Sequence, residues 1–395
     1  MASDAEDAVE TEREVTPLEL FFDLVFVFAL TQVTGMMAAD PTWVGLLRGM
    51  AVLTVLWWAW VGYVWIGTTT DAEETAPRLT MLVAMGTMFL TALAVPGAFG
   101  QLNNVAGGER DQALLFGLTY LAVRVMHVVL FLVIGRDLPG VGAAARRLAP
   151  GLLIGASLIL VAAFLPAGWP RGLLWLVAIV IDVGAPLVSG TQGWQVSPGH
   201  FAERHGLIII IALGESVVAL GVGVADELYS VRTIVAVLVG FAALACLWWL
   251  YFDVVAIAAE SRLATAPPEE RNALARDSYN YVHLLMVAGI VLLALGLKKA
   301  FDDIDAPLKT TVSFALFGGV ALYLLGHLLF RLRNMRTWNV QRGVCAVLLV
   351  LLIPVGVTAP SWVSLVLVTS VLIGLVSYET LHFREARHHL RTHVR

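Results

Sequence analysis

The stretch EVTPLELFFDLVFVFALTQV, residues 14–33, places two acids, Glu19 and Asp23, within its mostly apolar part. A helix of about 20 apolar residues crosses roughly 30 Å of hydrocarbon, because each residue adds about 1.5 Å. Glu19 and Asp23 are one helical turn apart and therefore lie on one face of that helix. A charge at the bilayer centre costs about 2.5–3.5 kcal/mol unless it faces a protein interior. The stretch therefore predicts a membrane-spanning helix whose acidic face contacts other helices.

The rest of the chain repeats this apolar pattern. Of its 395 residues, 59% are hydrophobic and 14% are charged, and the mean hydropathy is +0.82. Soluble proteins carry about 25% charged residues. We therefore predict an all-α, polytopic integral membrane protein with about twelve transmembrane helices. The predicted spans are 18–38, 44–67, 79–99, 112–134, 150–166, 170–189, 205–224, 231–257, 280–299, 312–330, 342–358 and 361–381.

Charge distribution predicts the orientation and the parts of the chain. Residues 1–17 read as an acidic cytoplasmic tail, 18–381 as a single transmembrane domain and 382–395 as a basic cytoplasmic tail. Most Lys and Arg fall in the segments that share a side with both termini, which the positive-inside rule assigns to the cytoplasm. We expect a multi-pass protein of the cytoplasmic membrane. Its longest loop is predicted at 258–279, which contains two adjacent prolines.

Similar segments recur in the two halves of the chain. ELFFDLVFVFALTQV, which begins at Glu19, resembles ERHGLIIIIALGESV, which begins at Glu203. Tryptophan pairs occur in the second and eighth spans, and a histidine occurs in each of the fourth and tenth. Two six-helix repeats, 18–189 and 200–381, would have the same orientation because six is even, and an axis along the membrane normal would relate them. Chance alignment of two apolar helices is the alternative.

A family resemblance rests on several of these segments. LELFFDLVFVFAL, ERHGLIIIIALGES, WWLYFD, GGVALYLLGH and the late YET together resemble the bacterial low temperature requirement protein A family. The resemblance runs from Glu19 to about Glu379. It implies a polytopic inner-membrane protein linked to growth in the cold, and it implies no particular chemistry.

Four ionisable residues within the spans are the first candidates for a proton or substrate site. Glu215 follows a glycine near the predicted midplane of the seventh span, where a poorly hydrated carboxyl suits a proton-coupled carrier. Arg124 keeps its charge and needs an acid, a carbonyl cluster or an anionic substrate. Asp182 lies at similar depth before a Gly-Ala-Pro kink. Asp23 is either a structural ion pair with a neighbouring helix or a proton- or cation-binding group.

A second set of polar residues lies toward the cytoplasmic side. For most of them hydrogen-bonded packing, a helix cap or interfacial charge is the plainer interpretation; Glu19, for example, is suited to a first turn after a proline. The set comprises Glu19, Glu203, Arg204, His205, Asp253, His283, His327 and Glu379.

Three functions remain compatible with the sequence. The first is a proton-linked secondary transporter with a site made by Glu215, Arg124 and Asp182. The second is an intramembrane enzyme for a lipid or other hydrophobic substrate, whose acid and base would come from Asp23, Asp253 and the cytoplasmic-side histidines His205, His283 and His327. The third is a sensor or scaffold whose charges are only structural pairs.

Absent motifs restrict the partners that we expect. The sequence has no phosphate-binding GxxxxGK[ST] loop, no GxSxG and no HExxH. Cys246 and Cys345 fall within predicted spans, which argues against a disulfide framework or a zinc site. We therefore expect no catalytic residue, metal or cofactor. The expected partners are membrane lipids and a small molecule or ion, not nucleic acid.

Overall fold

The computed structural model describes residues 15–69, 75–100, 108–223 and 230–385, and for 75–77 and 108–110 it describes the backbone alone. Of the two predicted tails, residues 1–14 and 386–395 therefore lie outside the described residues. Twelve helices, which we name α1 to α12, follow one another along the chain. They are Pro17–Ala39, Trp43–Gly67, Thr75–Leu93, Gly108–Ile134, Pro139–Ala162, Trp169–Ser189, Pro198–Gly223, Val231–Thr265, Pro268–Ala300, Thr310–Met335, Val340–Thr358 and Ser361–His382.

Length and composition fit these helices to a bilayer. Eleven of them are long and apolar enough to span a membrane, and α3 contains a shorter apolar helix, Arg78–Leu93. The residues that the structure describes form no strand beyond one isolated bridge between Pro307 and Pro360. The prediction of a polytopic all-α membrane protein is confirmed.

The first helix begins as its sequence predicts. Pro17 occupies the first turn, and the hydroxyl of Thr16 accepts a hydrogen bond from the backbone N–H of Glu19. In return, the Thr16 backbone N–H donates to a Glu19 carboxylate oxygen at 3.0 Å. This reciprocal cap satisfies two donors that a helix start leaves open.

Several predicted boundaries were wrong, because charged residues such as Arg146, Arg147 and Arg204 interrupt the apolar runs that hydropathy detects. α3 ends at Leu93 rather than at 99, and α10 continues to Met335 rather than to 330. α5 begins at Pro139 rather than at 150, and α7 begins at Pro198 rather than at 205. The predicted loop 258–279 is mostly helical: α8 continues past a break at 253–254 to Thr265, and α9 begins at Pro268. Proline is well suited to the first turn of a helix, since no backbone N–H is needed there.

The two halves pack in the same way. The helix pairs α1/α2, α1/α3, α2/α6, α3/α4, α4/α5 and α5/α6 are in contact in the first half. Their counterparts α7/α8, α7/α9, α8/α12, α9/α10, α10/α11 and α11/α12 are in contact in the second. Two six-helix repeats would produce this correspondence, and the division of the chain into two units stays a prediction.

Helices α1 and α7 lie side by side where the halves meet, and we call this contact the α1–α7 seam. Glu19 contacts His200 and Asp23 contacts Arg204, and each pair is 181 residues apart. The paired positions advance together, so the helices are parallel. Both helices also begin with a hydroxyl residue and a proline, Thr16-Pro17 and Ser197-Pro198. These helix starts favour a repeat offset of 181 over the alignment that begins at Glu19 and Glu203.

Candidate functional site

A buried guanidinium joins three helices of the first half. Arg124 of α4 has no exposed surface. Its Nη2 forms an ion pair with Asp182 of α6, and its Nη1 donates to the carbonyl oxygen of Trp58 in α2 at 2.9 Å. Tyr120 donates its hydroxyl hydrogen to the other Asp182 oxygen at 2.8 Å. We call these residues and the neighbouring His127 the Arg124 cluster.

His127 completes this cluster and leaves one ring nitrogen open. Its Nδ1 lies 3.5 Å from Arg124 Nη1. Because arginine can only donate, Nδ1 acts as the acceptor and the ring proton is on Nε2. That nitrogen is buried without a hydrogen-bond partner among the described residues. Gly62 lets the ring reach the α2 backbone, because a Cβ at that position would overlap the imidazole.

The second half holds a corresponding arrangement, which we call the Arg342 cluster. Arg342 of α11 binds Glu379 of α12 through two parallel hydrogen bonds of 2.8 Å. Its Nη1 lies 2.8 Å from Nδ1 of His327, and its Nη2 donates to the Leu250 carbonyl oxygen at 3.3 Å. Asn339 donates to Glu379 at 2.9 Å.

The two clusters share their chemistry. Each guanidinium binds a carboxylate on the sixth helix of its half, a backbone carbonyl on the second helix and a histidine on the fourth. The arginine itself comes from the fourth helix in one half and the fifth in the other. The guanidinium charge therefore contacts equivalent helices in the two halves, although the two arginines belong to non-equivalent helices.

Two further buried pairs connect the halves at the α1–α7 seam. His200 Nε2 lies 3.0 Å from both Glu19 carboxylate oxygens. Arg204 donates to Asp23 at 2.8 Å, and the Trp60 indole N–H donates to the same oxygen at 2.9 Å. All four ionisable side chains are buried. Of the two interpretations of Asp23, the structure places it in an ion pair with a neighbouring helix.

Glu215 lies apart from the residues with which it was predicted to act. Because α7 begins at Pro198, Glu215 lies about 25 Å along the helix axis from that first residue, which is beyond the midpoint of α7. It is buried, and its carboxylate contacts the hydroxyl of Thr31 in α1. The predicted three-residue site is therefore formed only by Arg124 and Asp182.

The predicted histidine–carboxylate centre is not assembled as expected. His205 and His283 contact backbone carbonyls, of Phe201 and Ser278, through Nδ1 at 2.9 and 3.0 Å. His283 also accepts from the Tyr251 hydroxyl at 2.8 Å, and the two histidine rings lie 5.3 Å apart. His327 belongs to the Arg342 cluster. These side chains form a chain of rings rather than acid–base pairs.

Several cavities open near these groups. A cavity of about 50 Å³ lies beside the Arg124 cluster, bounded by α2, α4, α5, α6, the segment after α6 and α9. We call it the α2–α9 cavity; Arg276 and Asn280 of α9 line it with Arg124 and His127. Cavities of about 180 and 140 Å³ adjoin the Arg342 cluster, and Asp253 lines the first of them. Glu203 is exposed and lines a groove of about 420 Å³.

Comparison with known proteins assigns the family. The family model described as "Bacterial low temperature requirement A protein (LtrA)" matches residues 14–377. The chain belongs to the LtrA family. An uncharacterized protein of Rhizobium meliloti (strain 1021) is 30% identical over 321 residues, which cover 78% of this LtrA chain and 75% of the relative. No solved structure matches the chain significantly.

Some functional candidates of this LtrA chain are not evident from the sequence, for identifiable reasons. His200 precedes the predicted start of the seventh span, and Arg342 was counted as an interfacial charge. Ser197-Pro198 could have revealed the earlier start, since it repeats the hydroxyl residue and proline that open α1. Tyr120 and Asn339 carry no sequence signal that separates them from other polar residues of a span.

Proposed function

We propose that this LtrA-family chain is a proton-linked secondary transporter of a small substrate. The observation that carries the proposal is the α2–α9 cavity, which both halves line beside a buried, charged cluster. Transporters built from internal repeats place their substrate sites between the repeats, and ionisable groups within spans mark such pathways.

The contacts around Arg124 support a binding role beyond packing. Arg124 holds its carboxylate partner on one side, while Nε of Arg124 and Nε2 of His127 have no partner among the described residues. A buried donor without an acceptor costs free energy that a bound molecule with acceptor oxygens recovers. The cavity beside these atoms supplies the room.

Glu215 is the group that we propose for proton coupling. The Thr31 hydroxyl has one hydrogen and two neighbouring acceptors, Glu215 and the Val27 carbonyl oxygen at 3.2 Å. An ionised Glu215 accepts this hydrogen, whereas a protonated Glu215 donates to the hydroxyl oxygen while Thr31 donates to Val27. The site therefore accommodates Glu215 in both protonation states.

The cellular setting is part of the proposal. We propose that the chain lies in the cytoplasmic membrane with both termini in the cytoplasm and with lipids as neighbours, as its Lys and Arg distribution supports. The family description supports a link to growth in the cold.

The enzyme alternative has less support, because His205, His283 and His327 contact carbonyl, hydroxyl and guanidinium groups. A scaffold would need no lined cavity.

Proton flux in proteoliposomes tests the proposal. A pH-sensitive dye inside the vesicles reports proton movement after addition of one probe: lactate or nitrate as an anion, glycine as a zwitterion, or methylammonium as a cation. We expect one probe to move protons in the parent, and we expect Glu215→Gln to abolish the signal because glutamine cannot exchange a proton.

The matched control is Glu203→Gln, which changes an exposed glutamate of the same helix. It should keep the parent rate. Equal flux in parent and Glu215→Gln would remove Glu215 from the mechanism. No probe-driven flux above protein-free vesicles would reject the transporter.

A further inference from the structure

We infer, resting on the proposed transporter function, that the α2–α9 cavity binds a small anion, a carboxylate or an inorganic oxyanion. The inference depends on which charges line the cavity, on which donors there lack partners and on the size of the space.

The charged side chains that line the cavity are all positive. Arg124 and Arg276 line it, and no Asp or Glu is among its lining residues. Asp182 compensates Arg124, but Asp277 is shared: Arg276 donates to one of its oxygens at 2.7 Å and Arg333 donates to the other at 3.1 Å. Two guanidiniums on one carboxylate leave a net positive charge, which attracts an anion to the cavity.

The open hydrogen-bonding groups match an anion too. Arg124 Nε and His127 Nε2 are buried, carry hydrogens and have no partner within the described residues. Ser189 Oγ, on a side chain that lines the same cavity, is also without one. An oxyanion offers several acceptor lone pairs to these donors, whereas an ammonium group offers none.

The remaining walls limit the size of the ligand. Trp58, Trp65, Trp194 and Phe131 line the cavity, and its volume is about 50 Å³. Aromatic walls suit a short apolar body attached to the charged group. A short-chain carboxylate or an ion such as nitrate fits this description.

Binding to the purified protein in detergent tests the inference. Lactate and nitrate, at constant ionic strength, should raise the thermal unfolding midpoint as their concentration rises, since a ligand that binds the folded state stabilises it. Methylammonium should not. We expect Arg276→Gln to weaken anion binding at least about tenfold, because it removes a guanidinium that lines the cavity.

Arg333→Gln is the matched control. It removes the other guanidinium that contacts Asp277, and so the same single positive charge as Arg276→Gln. Arg333, however, does not line the cavity. It should weaken anion binding much less than Arg276→Gln does, because it lowers the charge near the cavity but leaves the lining guanidinium in place. His127→Phe, which keeps a ring against Gly62 and removes the open N–H, should also weaken binding; size-exclusion profiles check that all three variants fold.

The outcomes separate the two proposals. Equal affinity in the parent and Arg276→Gln, equal losses in Arg276→Gln and Arg333→Gln, or stabilisation by methylammonium alone would overturn the anion site. Flux of glycine or methylammonium without anion binding would keep the transporter and reject the anion. Anion binding without flux would keep the site and reject the transporter.

Discussion

Buried arginines in this chain are held by groups from several helices. Arg204 differs from Arg124 and Arg342 because one carboxylate, that of Asp23, supplies its hydrogen-bond acceptor across the seam. Exchanging a buried ion pair for apolar residues often changes stability little, but removing one partner leaves an unpaired charge. We therefore expect the Asp23–Arg204 pair to fix the register and contact of α1 and α7.

Removing the charge of Arg204 tests this role. We expect Arg204→Met to lower the free energy of unfolding by about 3–5 kcal/mol, because Asp23 remains buried and unpaired. The double variant Asp23→Asn with Arg204→Met should recover more than half of the loss. Equilibrium unfolding in mixed detergent measures all three proteins.

The control for this prediction is Arg232→Met. Arg232 pairs with Asp305 at 2.7 Å, but both side chains are more than half exposed. Exposed pairs contribute about 0–1 kcal/mol, so the change should be small. Similar losses at Arg204 and Arg232 would contradict the structural importance of the seam pair.

At the scale of helices, hydropathy predicts the middle of each span better than its ends. Helices such as α6 and α11, most of whose residues are not buried by other helices, are largely apolar, and their predicted positions lie within two residues of the observed ones. The start of α7 carries His200, Arg204 and His205, whose side chains are buried by other helices. A scale based on transfer into lipid cannot recognise residues that are buried in protein.

The region between α8 and α9 allows a direct check. We expect slow amide hydrogen exchange over 257–265 and 272–300, because these residues lie within helices, with faster exchange at the turn 266–267. Mass spectrometry of peptic fragments resolves the three parts. Uniformly fast exchange over 258–279 would restore the loop that the sequence predicted.

Across the whole molecule, sequence similarity indicates a repeat but does not reveal the ion pairs. The paired tryptophans and the histidines of α4 and α10 recur at corresponding places. The partners Arg124 and Asp182, and likewise Arg342 and Glu379, come from helices that are separate in the chain. Only packing brings them together. The arginines also come from non-equivalent helices, so an alignment of the two halves cannot match them.

Cutting the chain between the halves tests their independence. Co-expressed fragments 1–192 and 193–395 should associate and retain probe-driven proton flux, because each contains six complete helices and the seam pairs rejoin them. A cut between 137 and 138 should fail, since it separates α5 and α6 from the helices that they contact. Equal recovery from both cuts, or none from the first, would contradict the two-unit organisation.

The α1–α7 seam also limits how the halves can move. Its two ion pairs are one turn apart on both helices, so sliding by a single residue, about 1.5 Å, would misalign both at once. Tilting about these pairs leaves them intact and separates the second halves of the two helices, where Thr31 and Glu215 touch. In the proposed transporter the junction would therefore act as a pivot, and opening on the far side would require the Thr31–Glu215 contact to break.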